Sequence, residues 1–257
     1  MKETRFEEEI NGFLFREYGD LGTPKYLVIG LPDVGLVGAI ASVHLVRQLK
    51  LEDVIGVDSY SLLPPVVVVS NGEPKHPVRI YSNGSLAVIA TDIPIPPASA
   101  PPLSAAIVQF ARTRGIEAII SVTGVGNPLR FEMEKPGLYI ISSDENASRI
   151  ASQVRAEKLK EGILAGPYAL ILKESIRKRL SNIVVMADSF LDIPDPEAAA
   201  VALEAASAII GVSVDTRSLL EEAERIKLRL KDLMKETKNV MARMGKGLEY
   251  RPPLMYT

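Results

Sequence analysis

The residues best placed for chemistry are glycines and aspartates that follow apolar runs. Gly30-Leu31-Pro32-Asp33-Val34-Gly35-Leu36-Val37-Gly38 comes after a β-like run and before a helical pattern, where a phosphate-binding loop would sit. It meets neither nucleotide fingerprint. A dinucleotide loop needs Gly-x-Gly-x-x-Gly, and Pro32 stands at the second glycine. A P-loop needs Lys and Ser or Thr after its second glycine, and Leu36 and Val37 stand there. Phosphate could be held only by backbone amides, so the plainer reading is that the glycines let the loop turn and the helix pack closely on a sheet. Thr123-Gly124-Val125-Gly126-Asn127-Pro128 is a second loop of this kind. In an open parallel sheet, ligands bind at such carboxyl ends. Asp33, Asp92 and Asp188 could meet there as general acids or bases, but carboxylates after strands equally often cap helices or form turns. Glu132 and Glu134 read as solvated loop residues.

Other chemistries lack their residues. Without cysteine there is no disulfide, thiolate zinc ligand or thiol nucleophile. The histidines are His44, in an apolar helical stretch, and His76, in a proline-rich loop, and a zinc site needs three or four converging ligands. No metal, cofactor or catalytic residue is expected. The 30 Lys and Arg against 32 Asp and Glu give a net charge of −2, without the basic excess on which nucleic-acid affinity rests. Met1–Ile10 is polar and acidic, unlike a signal peptide, and no apolar run approaches the ~20 residues that span a bilayer. The expectation is a cytoplasmic protein that binds neither nucleic acid nor membrane.

The elements positioning these loops follow from hydrophobic period. Among 257 residues, 47% are hydrophobic and 24% charged, which suits a globular chain with a sizeable core. β-branched runs at Tyr26–Gly30, Asp53–Ser59, Pro65–Ser70, Val78–Tyr81, Leu86–Thr91, Ala118–Thr123, Leu138–Ser142 and Ile183–Ala187 read as strands. Helical patterns fall at Val34–Leu49, Leu103–Arg114, Asn146–Lys160, from Pro167, and at Pro196–Ile210. This alternation is that of an α/β protein with a parallel sheet. Asn71-Gly72 and Asn83-Gly84 mark hairpin turns. One compact domain, 1–214, is expected.

Residues 215–244 differ. Leu219, Ala223, Ile226, Leu230, Leu233, Thr237, Val240 and Met244 alternate spacings of four and three, an a/d heptad seam in which only Thr237 is polar. Early acids (Glu221, Glu222, Glu224) and late bases (Lys235, Lys238, Arg243) suit the dipole of one long helix. Such a helix either packs along its own domain or meets copies of itself. The narrow stripe favours oligomerisation through Leu219, Ala223, Ile226, Leu230, Leu233, Val240 and Met244. The mixture of side chains leaves the number of subunits open.

Residues 245–257 form an expected extended tail, with Gly247, Pro252 and Pro253, able to reach about 40–45 Å. It closes on Met255-Tyr256-Thr257. An exposed tyrosine beside an apolar residue and a terminal carboxylate combines anchor and charge, as docking peptides do.

Taken in order, LVIGLPDVGLVGAIA, SLLPPVVV, RIYSNGSLAVIATDIPI, GILAGPYALILKES and IPDPEAAAVALEAASAIIGVSVDT resemble the proteasome assembly chaperone family, specifically its archaeal homologues, over nearly all of residues 26–216. The resemblance implies a three-layer α/β/α sandwich, phosphorylase-like in fold and used for binding. It also implies that Met255, Tyr256 and Thr257 match a hydrophobic-Tyr-any docking motif. The implied partner is the 20S proteasome, with the tail seated between neighbouring α subunits. Two other readings stay open: a nucleoside- or phosphate-binding enzyme using the glycine loops, and an oligomeric scaffold for another partner.

Overall fold

The computed structural model describes residues 3–244, the side chain of Glu224 excepted. The first half runs β1 (Phe6–Ile10), β2 (Phe13–Glu17), β3 (Tyr26–Gly30), α1 (Val37–Gln48), β4 (Glu52–Asp58), β5 (Val68–Ser70), β6 (Glu73–Lys75), β7 (Val78–Ser82), β8 (Leu86–Thr91) and α2 (Ala100–Thr113). There follow β9 (Ala118–Gly126), β10 (Leu138–Ser142), α3 (Glu145–Ala151), β11 (Glu157–Lys158), α4 (Pro167–Lys178), β12 (Ser181–Ser189) and α5 (Pro196–Ile210). Three helices close the described chain: α6 (Arg217–Glu221), α7 (Ala223–Arg229) and α8 (Lys231–Arg243).

Ten strands form one sheet in the order β1-β2-β4-β7-β8-β3-β9-β12-β10-β11. Its centre, β8-β3-β9-β12, is parallel, and antiparallel strands flank it. β3, β8 and β12 are buried at every residue, because helices cover both faces and no solvent face calls for polar alternation. Side chains along β3 divide by parity. Tyr26 and Val28 join a core with α1, α3 and α5, while Leu27 and Ile29 join one with α2 and α4. Two cores on opposite faces make a three-layer α/β/α sandwich, as expected.

Local chemistry accounts for the helix ends. Asp195 caps α5 by accepting from the Ala198 amide, Pro196 supplies a fixed φ in the first turn, and Gly211 closes the helix at φ 75°. α2 begins at Ala100, three residues before the expected Leu103. Pro101 and Pro102 fit inside its first turn, where backbone N–H groups have no helical partner to lose.

Four segments depart from the expected pattern, the first being the strand expected over Pro65–Ser70, which begins only at Val68. Asn11-Gly12, both at positive φ, turns an N-terminal hairpin, β1–β2, that sequence reading did not anticipate. The helix expected over 146–160 ends at Ala151; the chain then leaves it, and Glu157–Lys158 pairs with Tyr139 and Ile140. The helical run expected over 215–244 is present but divided, with breaks at Glu222 and Leu230, where φ and ψ are near −99°, 8° and −97°, 5°.

Those breaks let the run bend onto its own domain. Leu219 is buried there, Ile226, Leu230 and Leu233 pack on the α1/α5 core, and Met244 reaches the α2/α4 core. Ala223 and Val240 are half-buried. The most buried side chains of α8 are Met234, Thr237 and Met241, so its inward stripe is rotated from the seam read in the sequence. Thr237 is tolerated inside because its hydroxyl donates to the Leu233 carbonyl at 2.7 Å. Among the described residues, no helix is long and apolar enough to cross a membrane.

Candidate functional site at the strand carboxyl ends

β3, β9 and β12 deliver both glycine loops to one end of the sheet. After β3 the chain turns through Asp33 into a 3-10 turn, Val34–Leu36, with Gly35 and Leu36 both left-handed. The loop has no room for side chains. A Cβ on Gly35 would lie 1.9 Å from Ser189 Oγ, and one on Gly38 would lie 2.2 Å from the Val122 carbonyl oxygen. A Cβ on Gly124 would approach the Val34 carbonyl oxygen to 2.7 Å. These glycines are where β9, β12 and the start of α1 come into backbone contact.

Several backbone groups of the loop are already bonded. The Leu31 amide donates to the Tyr168 hydroxyl at 2.7 Å, and that hydroxyl donates to the Leu31 carbonyl at 3.2 Å. The Leu36 amide donates to the Asp33 carbonyl, and the Gly35 carbonyl accepts from the Asp195 amide. Burial pushes the Tyr168 phenol well above its ordinary pKa, and the Asp33 charge adds to this, so the ring stays neutral and acts as a strut. A phosphate held by the Leu31 or Leu36 amide would have to displace these bonds.

Each of the three aspartates is bonded to partners of its own. Asp33, buried, accepts from the Thr123 hydroxyl at 3.1 Å. Asp188, also buried, accepts from Asn127 Nδ2 at 3.0 Å and from the Tyr139 hydroxyl at 2.9 Å. Asp92 lies at the end of β8, paired with Arg79 of β7. Glu132 and Glu134 are exposed, as expected. His44 contacts the Asp215 carbonyl through Nε2 at 2.7 Å, which ties α1 to the segment before α6. His76 is buried, 3.6 Å from Asp58, and its ring lies where a Cβ on Gly56 would stand. Among the described residues, no three His, Asp or Glu side chains are placed to share a metal ion.

Sequence reading missed the polar anchor of this end. Arg130, 2% exposed, donates from Nε to Asp195 Oδ2 at 2.9 Å and from Nη2 to Asp195 Oδ1 at 3.3 Å. It also pairs with Glu197. Burial pushes the guanidinium pKa down, but the bonds to Asp195 and Glu197 outweigh it, and the net shift is upward. The pair pins the 127–134 loop to the start of α5. Apolar side chains stand outside it: Leu129, Phe131, Leu191 and Ile193 are exposed, and Phe131 rests on Phe190 with ring centroids 4.4 Å apart. A lone aromatic next to acidic residues in a loop was the one available signal.

α8 crosses the same end. It packs beside the Val34–Leu36 turn, and Lys238 Nζ lies 2.9 Å from Asp192 Oδ2. With Met234 and Met241 in one core and Met244 on the other, it passes from one sheet face to the other. The crevice position of an open α/β sheet is therefore occupied by the chain itself, with an apolar rim facing water. Met255, Tyr256 and Thr257, the expected docking residues, lie outside the described residues.

The model of the PAC2 family matches residues 27–234, from β3 into α8. The chain belongs to the PAC2 family. An uncharacterized protein of Methanocaldococcus jannaschii is 25% identical over 220 residues, 86% of this chain and 90% of its own length. Among solved structures, Pyrococcus furiosus PbaA, an archaeal homolog of proteasome-assembly chaperone, superposes with a TM-score of 0.80 at 28% identity. That match covers 89% of this chain and 99% of PbaA. Pyrococcus furiosus PbaB, an archaeal proteasome activator, has a TM-score of 0.71 at 20% identity, covering 87% of this chain and 99% of PbaB. At that identity the likeness is one of fold. This PAC2 protein thus has the sandwich that its sequence resemblance implied.

Proposed function

We propose that this PAC2 protein is a non-catalytic, cytoplasmic proteasome assembly chaperone or activator-like partner. It docks Met255, Tyr256 and Thr257 into pockets between α subunits of the 20S proteasome. The observation that carries the reading is the likeness to PbaA over almost the whole of both chains. Support comes from the strand carboxyl ends, where glycines pack closely, Tyr168 engages the Leu31 amide and α8 lies beside the loop. The exposed rim of Leu129, Phe131, Leu191 and Ile193 suits contact with protein better than turnover of a small polar substrate.

In this reading the protein is a homo-oligomer that presents several tails at once. One short peptide binds weakly, and linked copies gain effective concentration. Ala223, Ile226, Leu230, Leu233, Val240 and Met244 are only partly buried, so each keeps an edge for a neighbouring copy, whereas Leu219 is buried in its own domain.

Tyr256→Ala is the test. It is expected to abolish pull-down of 20S particles and leave the native mass of the protein unchanged. Undiminished capture by the variant would remove the tail from the mechanism.

A further inference from the structure

β5 and β6 form a separate two-stranded sheet, turned by Asn71-Gly72 at φ 52° and 79°. Isolated hairpins of this size are marginally stable in water. This one also carries Val66, Val67 and Val69 exposed, with Val69 at 69%.

The two edges of the hairpin are unlike. Ser70 and Glu73 flank the turn and exchange both ladder bonds, so Val68 and Lys75 do the same, and Val69 opposite Pro74 is a non-bonded pair. The outward-facing position of β6 is therefore Pro74, which has no N–H, and charged Glu73 and Lys75 flank it. Proline and charge are how natural edges are closed to pairing. The outward position within β5 is Val69, whose N–H and C=O groups point away from β6, and Val67, just before the strand, would take the next outward position if the strand were extended. No charge lies between Val66 and Ser70.

We propose that the β5 edge is an interface between copies of this chain, formed by antiparallel, two-fold pairing of Val66–Ser70. The occupant follows from the edge itself. An uncharged run of valines meets its own copy without like-charge opposition, and a two-fold axis needs a self-complementary surface. The register is set by Pro65, which would be the next outward position but has no N–H to offer. Pairing centred on Val67 would set Pro65 opposite Val69 and leave a Val69 carbonyl without a donor. Pairing centred on Val68 sets Val67 of one protomer opposite Val69 of its partner, twice, for about four backbone hydrogen bonds. It places Val68 across from Val68 of the partner subunit as a non-bonded pair, the closest approach in an antiparallel ladder.

The inference rests on the homo-oligomeric part of the proposed function and not on proteasome docking. The absence of native cysteine makes the test clean. Under mild oxidation, Val68→Cys in the full chain is expected to run at twice the monomer mass on non-reducing gels, because Cα atoms about 4.5 Å apart suit a disulfide. Ser213→Cys, at an exposed site after α5, is the control and is expected to stay monomeric. Val69→Pro removes an outward N–H that β6 does not use, so it is expected to lower the native mass while retaining the wild-type circular dichroism spectrum. Cross-linking at 68 no faster than at 213, or an unchanged native mass for Val69→Pro, overturns this interface and leaves tail docking standing. A monomeric wild-type protein in native mass measurements overturns both the interface and the homo-oligomer.

Discussion

Arg130→Met tests whether the strand-end loop is held by one buried ion pair. Both partners are almost fully enclosed, at 2% and 1% exposure, and the guanidinium makes two bonds to Asp195. Breaking a buried pair by removing one partner costs about 3–5 kcal/mol, because the remaining charge is stranded. Asp195 would keep bonds from the Ala198 and Phe190 amides at 3.0 and 3.3 Å, and these partly stabilise its charge. The lower end, about 3 kcal/mol, is therefore expected. For a chain of this size each kcal/mol moves the melting temperature by about 2–4 °C, so the drop should be roughly 6–12 °C by calorimetry at neutral pH. Adding Asp195→Asn removes the stranded charge and keeps an acceptor for the α5 cap, so the double variant should recover more than half of the loss. A drop below about 2 °C for Arg130→Met, or a double variant less stable than the single, would mean that this pair does not hold the loop.

Two further outcomes follow from the geometry. Gly38→Ala forces a Cβ toward the Val122 carbonyl and the Tyr168 hydroxyl and should cost about 1–3 kcal/mol in urea unfolding; a neutral result would mean that α1 is not seated as described. Burial pushes the His76 imidazole below its ordinary value, and Asp58 only partly offsets it. The unfolded chain, with a pKa of about 6.5, therefore takes up the proton first. Stability contributed by neutral His76 is complete above about pH 6.5 and lost as pH falls toward the lower folded value. His76→Gln should flatten the urea midpoint between about pH 7 and 5, and an unaltered slope would assign acid sensitivity to other groups.

The parallel centre of the fold was legible because strands buried on both faces, such as Leu86–Thr91, carry continuous apolar runs that no other element explains. Pro196–Ile210 was readable to the residue, since cap, N1 proline and C′ glycine are all local signals. The breaks inside the 217–243 run were not. Heptad spacing reports which residues are apolar, but not that the backbone breaks at Glu222 and Leu230 or that Thr237 turns inward. Proximity of the glycine loops was legible from topology, since both follow strands of one parallel sheet. The Arg130–Asp195 pair was hidden because its partners are 65 positions apart, and nothing local marks Arg130 as buried. The asymmetry of the β5–β6 edges was written in Pro65 and Pro74, but it acquires meaning only once the register is known.

Affinity for immobilised 20S proteasome, measured by surface plasmon resonance for the full chain and for a form lacking Met255–Thr257, bears most directly on what this PAC2 protein does. Saturable binding by the full chain and none by the shortened form at the same concentrations is the expected outcome. Equal binding by the two forms would contradict tail docking.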